Sequence, residues 1–231
     1  MRLANAKRIL QIFSTRAPRP GRAALSMGSP VENRPGSRGS LAFLSRATPT
    51  MRSATATLRA EHALLREALD ALAAVADHVA QGGAFPAADC ALLLRFFRDF
   101  VGAVHCRKEA EVVLPALAVH GSDAQAELAG ELLAAQEEAA HLLHALILFW
   151  EPHGNLTPEE RASFVQTAGH YRARLLRTAD LEDRELLPCV DQVVPADDRL
   201  DWGSSFDALE AVGPDAAHWR AQLDPVLSHW R

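Results

Sequence analysis

Aromatic side chains make up only 6% of the 231 residues, with a single tyrosine among them. Strands favour aromatic and β-branched residues, so this shortage argues against a sheet core. Cysteine is scarce as well. Cys90, Cys106 and Cys189 are an odd trio without tight spacing, which excludes a disulfide framework or a zinc knuckle and points to free thiols in a reducing compartment. No uninterrupted apolar run reaches the roughly 18 residues that a membrane span needs. The longest candidate, Leu142 to Trp150, is broken by His144. A Gly-rich phosphate loop, a nucleophile elbow and a nucleic-acid-reading helix are also missing, which leaves nucleotide chemistry and DNA recognition without support. What remains is rich in Ala and Leu, 48% apolar and 23% charged, enough for one sizeable core of packed helices.

The net charge of −5 is unevenly spread. Residues 1–50 hold nine basic side chains against one acid, Glu32, so the rest of the chain carries −13. This leader is rich in Arg, Ser, Pro and Gly, with turn-forming pieces such as Pro18-Arg19-Pro20-Gly21, and is expected to be disordered over 1–52. Its composition suits an organellar transit peptide. Translation begun upstream of a start at Met27 or Met51 produces similar sequence and fits the Ala/Arg-heavy usage better. A nucleic-acid-binding arm would want a folded basic or aromatic surface beside it, which the turn-rich leader gives no sign of.

From residue 53 the pattern turns regular. Leu58, His62, Leu65, Leu69, Leu72, Ala76 and Val79 recur every three or four residues and stop at Gln81-Gly82-Gly83, which predicts a first helix. Pro86 opens a second, with Leu94, Phe97, Val101, His105, Glu109 and Val112 on its stripe and Pro115 and Gly121 closing it. Ser122-Asp123 caps a third that runs to Trp150, and Thr157-Pro158-Glu159-Glu160 opens a fourth toward Pro188. Four long helices joined by short polar turns predict an all-α, up-down-up-down four-helix bundle over 53–195. The extension over 196–231 carries Trp202, Trp219 and Trp230 and one or two short helices, whose rings are expected to cap one end of the bundle.

An internal repeat runs through these helices. His105 to Pro115 aligns with Thr178 to Pro188, bringing Glu109 onto Glu182, Leu114 onto Leu187 and Pro115 onto Pro188. Leu58 to Leu69 likewise aligns with Leu132 to Leu143, placing Gln136 opposite His62. The pattern is that of a duplicated helical hairpin.

The repeat carries chemistry. His105 and Glu109 are four residues apart, one turn apart on the same helix face, and offer an imidazole and a carboxylate to one point. Both lie on the apolar stripe, as His62 does on the first helix, and polar groups buried there are costly unless paired or metal-bound. Imidazole together with carboxylate suits iron, manganese or zinc.

At these residues the chain resembles the hemerythrin-like family, the HHE cation-binding domains. The matching pieces are Leu58-Arg-Ala-Glu61-His62, His105-x-x-Lys108-Glu109 with Leu114-Pro115, and Glu182-Asp183-x-x-Leu186-Leu187-Pro188, together covering about residues 53–192. The resemblance implies a four-helix bundle holding a non-haem di-iron centre, bridged by two carboxylates and completed by histidines from all four helices, with oxygen or nitric oxide binding, or iron or redox sensing. It implies His62 and His105 as terminal ligands of one iron and Glu109 and Glu182 as bridging carboxylates. Asp183 is the alternative to Glu182, which repeats the spacing of Glu109.

The chain departs from the family where histidines of the third and fourth helices belong. Gln136, Ala140 and Thr178 stand at those places, and the amide and hydroxyl oxygens are weak substitutes for imidazole. A half-site with one ion follows: His62, His105, Glu109 and Glu182 as ligands, with Gln136, Thr178 and Asp183 as marginal ligands or supports. His141, about 140° from Gln136 round its helix, should face away. His144 and His170 lie too far along their helices to complete the site, and His78, His120, His153, His218 and His229 fall near ends or in the tail. Cys106, about 100° off the ligand face, reads as a packing residue.

The expected function is non-catalytic iron binding in oxygen, nitric oxide, redox or iron sensing, with one ion rather than two. A small gas ligand, no nucleic acid, no membrane and a cytoplasmic location complete the reading, with an organellar matrix instead if the leader is a transit peptide. Two alternatives remain: a metal-free degenerate bundle acting as an interaction module, and a mononuclear iron oxidase or peroxide-consuming enzyme.

Overall fold

A computed structural model describes residues 53–148, 156–211 and 213–231, which lie within one compact unit spanning 52–231. The leader, the predicted helix end at Trp150 and His153 lie outside the described residues. The described chain is all-helical, with six helices, and the first four form the expected bundle.

Helix α1 spans Ala54–Ala80, with the Ser53 hydroxyl accepting from the Ala56 N–H at 3.2 Å. It stops at Gly82, whose φ of +86° only glycine adopts without strain. Helix α2 covers residues 87–120. Helix α3, Asp123–Ile147, begins with a reciprocal cap between Ser122 and Gln125, and α4, residues 158–193, with the same device between Thr157 and Glu160. Within the bundle, α1 and α3 each pack on α4, and α2 on α3.

Helix α2 closes at Gly121 as expected, but contrary to expectation Pro115 does not end it and Pro188 does not end α4. α2 runs through Pro115 to His120 and α4 through Pro188 to Val193. A proline in a helix has no N–H for the carbonyl four residues back, and its ring crowds that carbonyl. The chain answers by widening: Glu109–Val113 and Glu182–Leu186 are π turns, in which Leu114 N–H reaches the Glu109 carbonyl and Leu187 N–H the Glu182 carbonyl. A further π stretch covers Phe97–His105. The extra residue moves the core position from the predicted Val112, half-buried, to Val113, fully buried. The repeat seen in the sequence is therefore also a repeat of backbone geometry.

The extension folds as α5, Ala196–Glu210, and α6, Ala216–His229. Its tryptophans do not gather at one end. Trp202 and Phe206 of α5 pack with Leu58, Val113, Leu117 and Leu187, whereas Trp219 of α6 meets Phe96 in a separate core, ring centroids 5.7 Å apart. Trp230 donates its indole N–H to Asp89 at 2.8 Å. The expectation overlooked a bundle with two apolar cores, each needing cover.

A polar layer separates those cores. Apart from Thr55, every buried polar residue among those described falls in it: Glu61 and His62 from α1, His105, Lys108 and Glu109 from α2, Gln136 from α3, and Thr178 and Glu182 from α4. Among the described residues no helix is long and apolar enough to cross a membrane.

Candidate metal centre

Each residue of the polar layer sits one turn from an apolar neighbour on its own helix, so the packing that buries the stripe also delivers the polar group. On α1, Leu58 and Leu65 flank His62; on α2, Val101 and Val113 flank His105 and Glu109. His62, His105, Glu109 and Glu182 converge, each offering a ligand atom, and these atoms lie within 4.8 Å of one another. The imidazole rings meet edge to face, centroids 4.9 Å apart. His62 Nε2 is 3.1 Å from a Glu182 oxygen and 3.8 Å from Glu109, and His105 Nε2 is 3.7 Å from Glu109.

The far nitrogen of each imidazole is already committed. His62 Nδ1 bonds Asp183 at 2.8 Å and His105 Nδ1 bonds Glu61 at 2.8 Å. In a neutral ring this makes Nδ1 the donor and leaves the Nε2 lone pair facing the cluster, the arrangement metal-binding histidines use. Arg66 in turn donates to Asp183 at 2.8 Å.

The inner atoms lack partners. His62 Nε2, Glu109 Oε1, Glu182 Oε1 and Gln136 Oε1 are all buried without a hydrogen bond; His62 Nε2 is near Glu182 but not aligned for one. A buried polar atom left unpaired costs about 1–3 kcal/mol, so several around one point signal a missing partner. The charge agrees. Lys108 is ion-paired with Glu61, which leaves Glu109 and Glu182 as two carboxylates that a divalent cation would neutralise. Without a cation, protons stand in: burial by itself would lower the His62 pKa, but Asp183, Glu109 and Glu182 push it up to about 11. His105 is raised too, against burial, by Glu109 and Glu61. Burial and the Glu109 charge raise Glu182. Two imidazoles and two carboxylates of this kind suit iron, manganese or zinc.

A cavity of about 10 Å³, room for roughly one water-sized ligand, borders the cluster between Gln136, Thr178 and Cys106. Gln136 donates its amide to Glu109 at 2.7 Å, and the Thr178 hydroxyl donates to the Arg174 carbonyl at 3.0 Å. Asp183 stays outside the inner cluster, on the far side of His62. Ala140 is exposed, as are His141, His144 and His170. His120 pairs with Asp198 at 3.1 Å, and His78 with the Ala84 carbonyl at 3.1 Å.

Sequence reasoning quoted Glu61 and Lys108 but assigned neither a role. The signal was available: a buried acid three residues after Leu58 and a lysine three after His105 both fall on core-facing positions, where a charge needs a partner.

The hemerythrin HHE cation-binding domain model matches residues 53–190. The chain belongs to the hemerythrin HHE cation-binding family. No curated protein and no solved structure matches the chain. Within the hemerythrin family frame, the matched segment contains the whole polar layer and stops before α5 and α6.

Proposed function

We propose that this chain is a non-catalytic, iron-binding hemerythrin-type protein that holds a single ion on His62, His105, Glu109 and Glu182 and reports oxygen, nitric oxide, redox state or iron supply. The observation that carries the reading is the set of buried, unpartnered atoms turned on one another at His62, Glu109 and Glu182. Iron is favoured among metals of this ligand class by the family. One ion is favoured over two because the side of the cluster next to the cavity offers an amide oxygen and a hydroxyl, weaker donors than imidazole, and the hydroxyl is turned to the Arg174 carbonyl.

The cavity suits a small ligand. Leu65, Val101 and Leu175 give it apolar walls next to the cluster, which favours a diatomic gas over a polar substrate. Besides His105, Glu109 and Glu182, its titratable lining residue is Cys106, whose thiol burial and the charges of Glu109, Glu182 and Glu61 push far above its usual range. It therefore stays protonated and supplies no acid or base near neutral pH, in keeping with a binding role. The three free cysteines suit a reducing compartment, for which we take the cytoplasm.

The test is metal analysis of protein produced in iron-supplemented cells, followed by an optical spectrum with and without oxygen. One iron per chain and no oxo-bridge bands are expected. Two irons with such bands overturn the single-ion reading, and no transition metal overturns the metal reading altogether.

A further inference from the structure

The extension beyond the family segment is tied to the polar layer by a chain of charges. Lys108 is completely buried, and its ammonium group pairs with Glu61 on one side and with Glu210, the last residue of α5, on the other. It also lies 5.1 Å from the centroid of the Phe206 ring, two turns from the C-terminus of α5 or less. Glu61 divides its oxygens: Oε1 takes Lys108 and Oε2 takes His105 Nδ1. Four side chains thus connect α5 to the imidazole of a metal-cluster histidine.

The physics of each link gives it a purpose. A buried ammonium is costly unless its charge is matched. Glu61 alone can match it, but Glu61 must also hold the His105 ring, and a lysine pulling on one oxygen without a counterweight draws the carboxylate away from the imidazole. Glu210 supplies that counterweight from the opposite side. Trp202 and Phe206 anchor α5 in the core that holds Leu58, Val113 and Leu187, so the Glu210 carboxylate is delivered by packing rather than by a loose side chain. Orientation of a ligating histidine through its second nitrogen changes metal affinity by roughly 10–100-fold.

We propose that Glu210 and Lys108 are positioning residues for the metal centre, and that α5, outside the matched family segment, sets its affinity. Coupling of this kind is reciprocal, so metal occupancy must also hold α5 against the bundle. The inference rests on the metal-binding reading of the cluster.

The experiment titrates the metal-free full chain with cobalt(II) as an optical probe and with ferrous iron under anaerobic conditions. It compares wild type with Glu210→Gln, Glu210→Asp and Lys108→Met, with melting temperature followed alongside. Hydrogen exchange over residues 196–210 is measured in the wild type with and without metal, which needs no variant to fold. Glu210→Gln should weaken binding about tenfold and change the cobalt spectrum at a nearly unchanged melting temperature, Glu210→Asp should restore part of the affinity, and metal should slow exchange in α5. Wild-type binding with Glu210→Gln indistinguishable from it, and exchange in α5 indifferent to metal, overturns the inference alone. A wild-type chain that takes up neither metal overturns the reading of the cluster and the inference with it.

Discussion

Replacing Glu182 by glutamine should move stability and metal binding in opposite directions. In the metal-free protein Glu182 is 2% exposed, has an unpartnered Oε1 and faces Glu109, and burial together with that neighbouring charge raises its pKa. An amide keeps the shape and removes the charge, relieving a penalty of about 1–3 kcal/mol. In a folded unit spanning residues 52–231 each kcal/mol is worth about 2–4 °C, so the metal-free Glu182→Gln protein should melt about 2–12 °C higher than wild type. With metal the order should reverse. Wild type gains about 2.7 kcal/mol at a free-metal concentration of 100 times Kd. The variant, short of one of the four proposed ligands, should lose more affinity than the roughly 10–100-fold that follows removal of an outer partner. Differential scanning fluorimetry with chelator and then with ferrous iron measures both halves. A lower metal-free melting temperature, or metal stabilisation equal to wild type, refutes the reasoning, because either result means that the carboxylate serves folding and not a cation.

His105→Ala should lower metal content to background and melting temperature by several degrees, since it also strands Glu61 Oε2, whereas His141→Ala on an exposed face should change neither; metal analysis and calorimetry of the pair decide it. Asp183→Asn removes the carboxylate on His62 Nδ1 and should weaken metal binding about 10–100-fold while leaving stoichiometry at one ion, checked by titration. The pH dependence has a definite sign. His62 has a folded pKa of about 11 against 6.5 unfolded, so its contribution is complete below pH 6.5 and is lost as pH rises toward 11. Metal must displace that proton. Between pH 6.5 and 9, the metal-free melting temperature should therefore fall while apparent metal affinity rises, and a flat profile in both contradicts the assignment.

Much of this protein was written into local pattern. Ser122 and Thr157 announced two helix starts, and a cap is a matter of neighbouring residues, so tertiary structure had nothing to overrule. His62, His105 and Glu109 declared themselves because imidazoles and a carboxylate on an apolar stripe have no cheap reason to be there. Prolines misled, since the same missing N–H that ends most helices here widens two of them, and which outcome prevails depends on whether the chain beyond has a core to bury. Leu117 and Val190, both fully buried beyond the prolines, supplied that reason.

Periodicity assigns a residue to a face but is silent on what stands across from it. That Glu182 turns inward while its neighbour Asp183 holds the outer nitrogen of His62 depends on the angle between α1 and α4. That Glu61 divides itself between His105 and Lys108, and that Lys108 reaches Glu210 across 102 positions of sequence, depends on where α5 comes to rest. Sequence by itself determined the helices, the duplicated hairpin and the stock of donor groups, because these are set by interactions a few residues long. Only the tertiary structure decided which donors share a centre and which merely support it, because ångström distances between helices are fixed by the packing of the two apolar cores on either side.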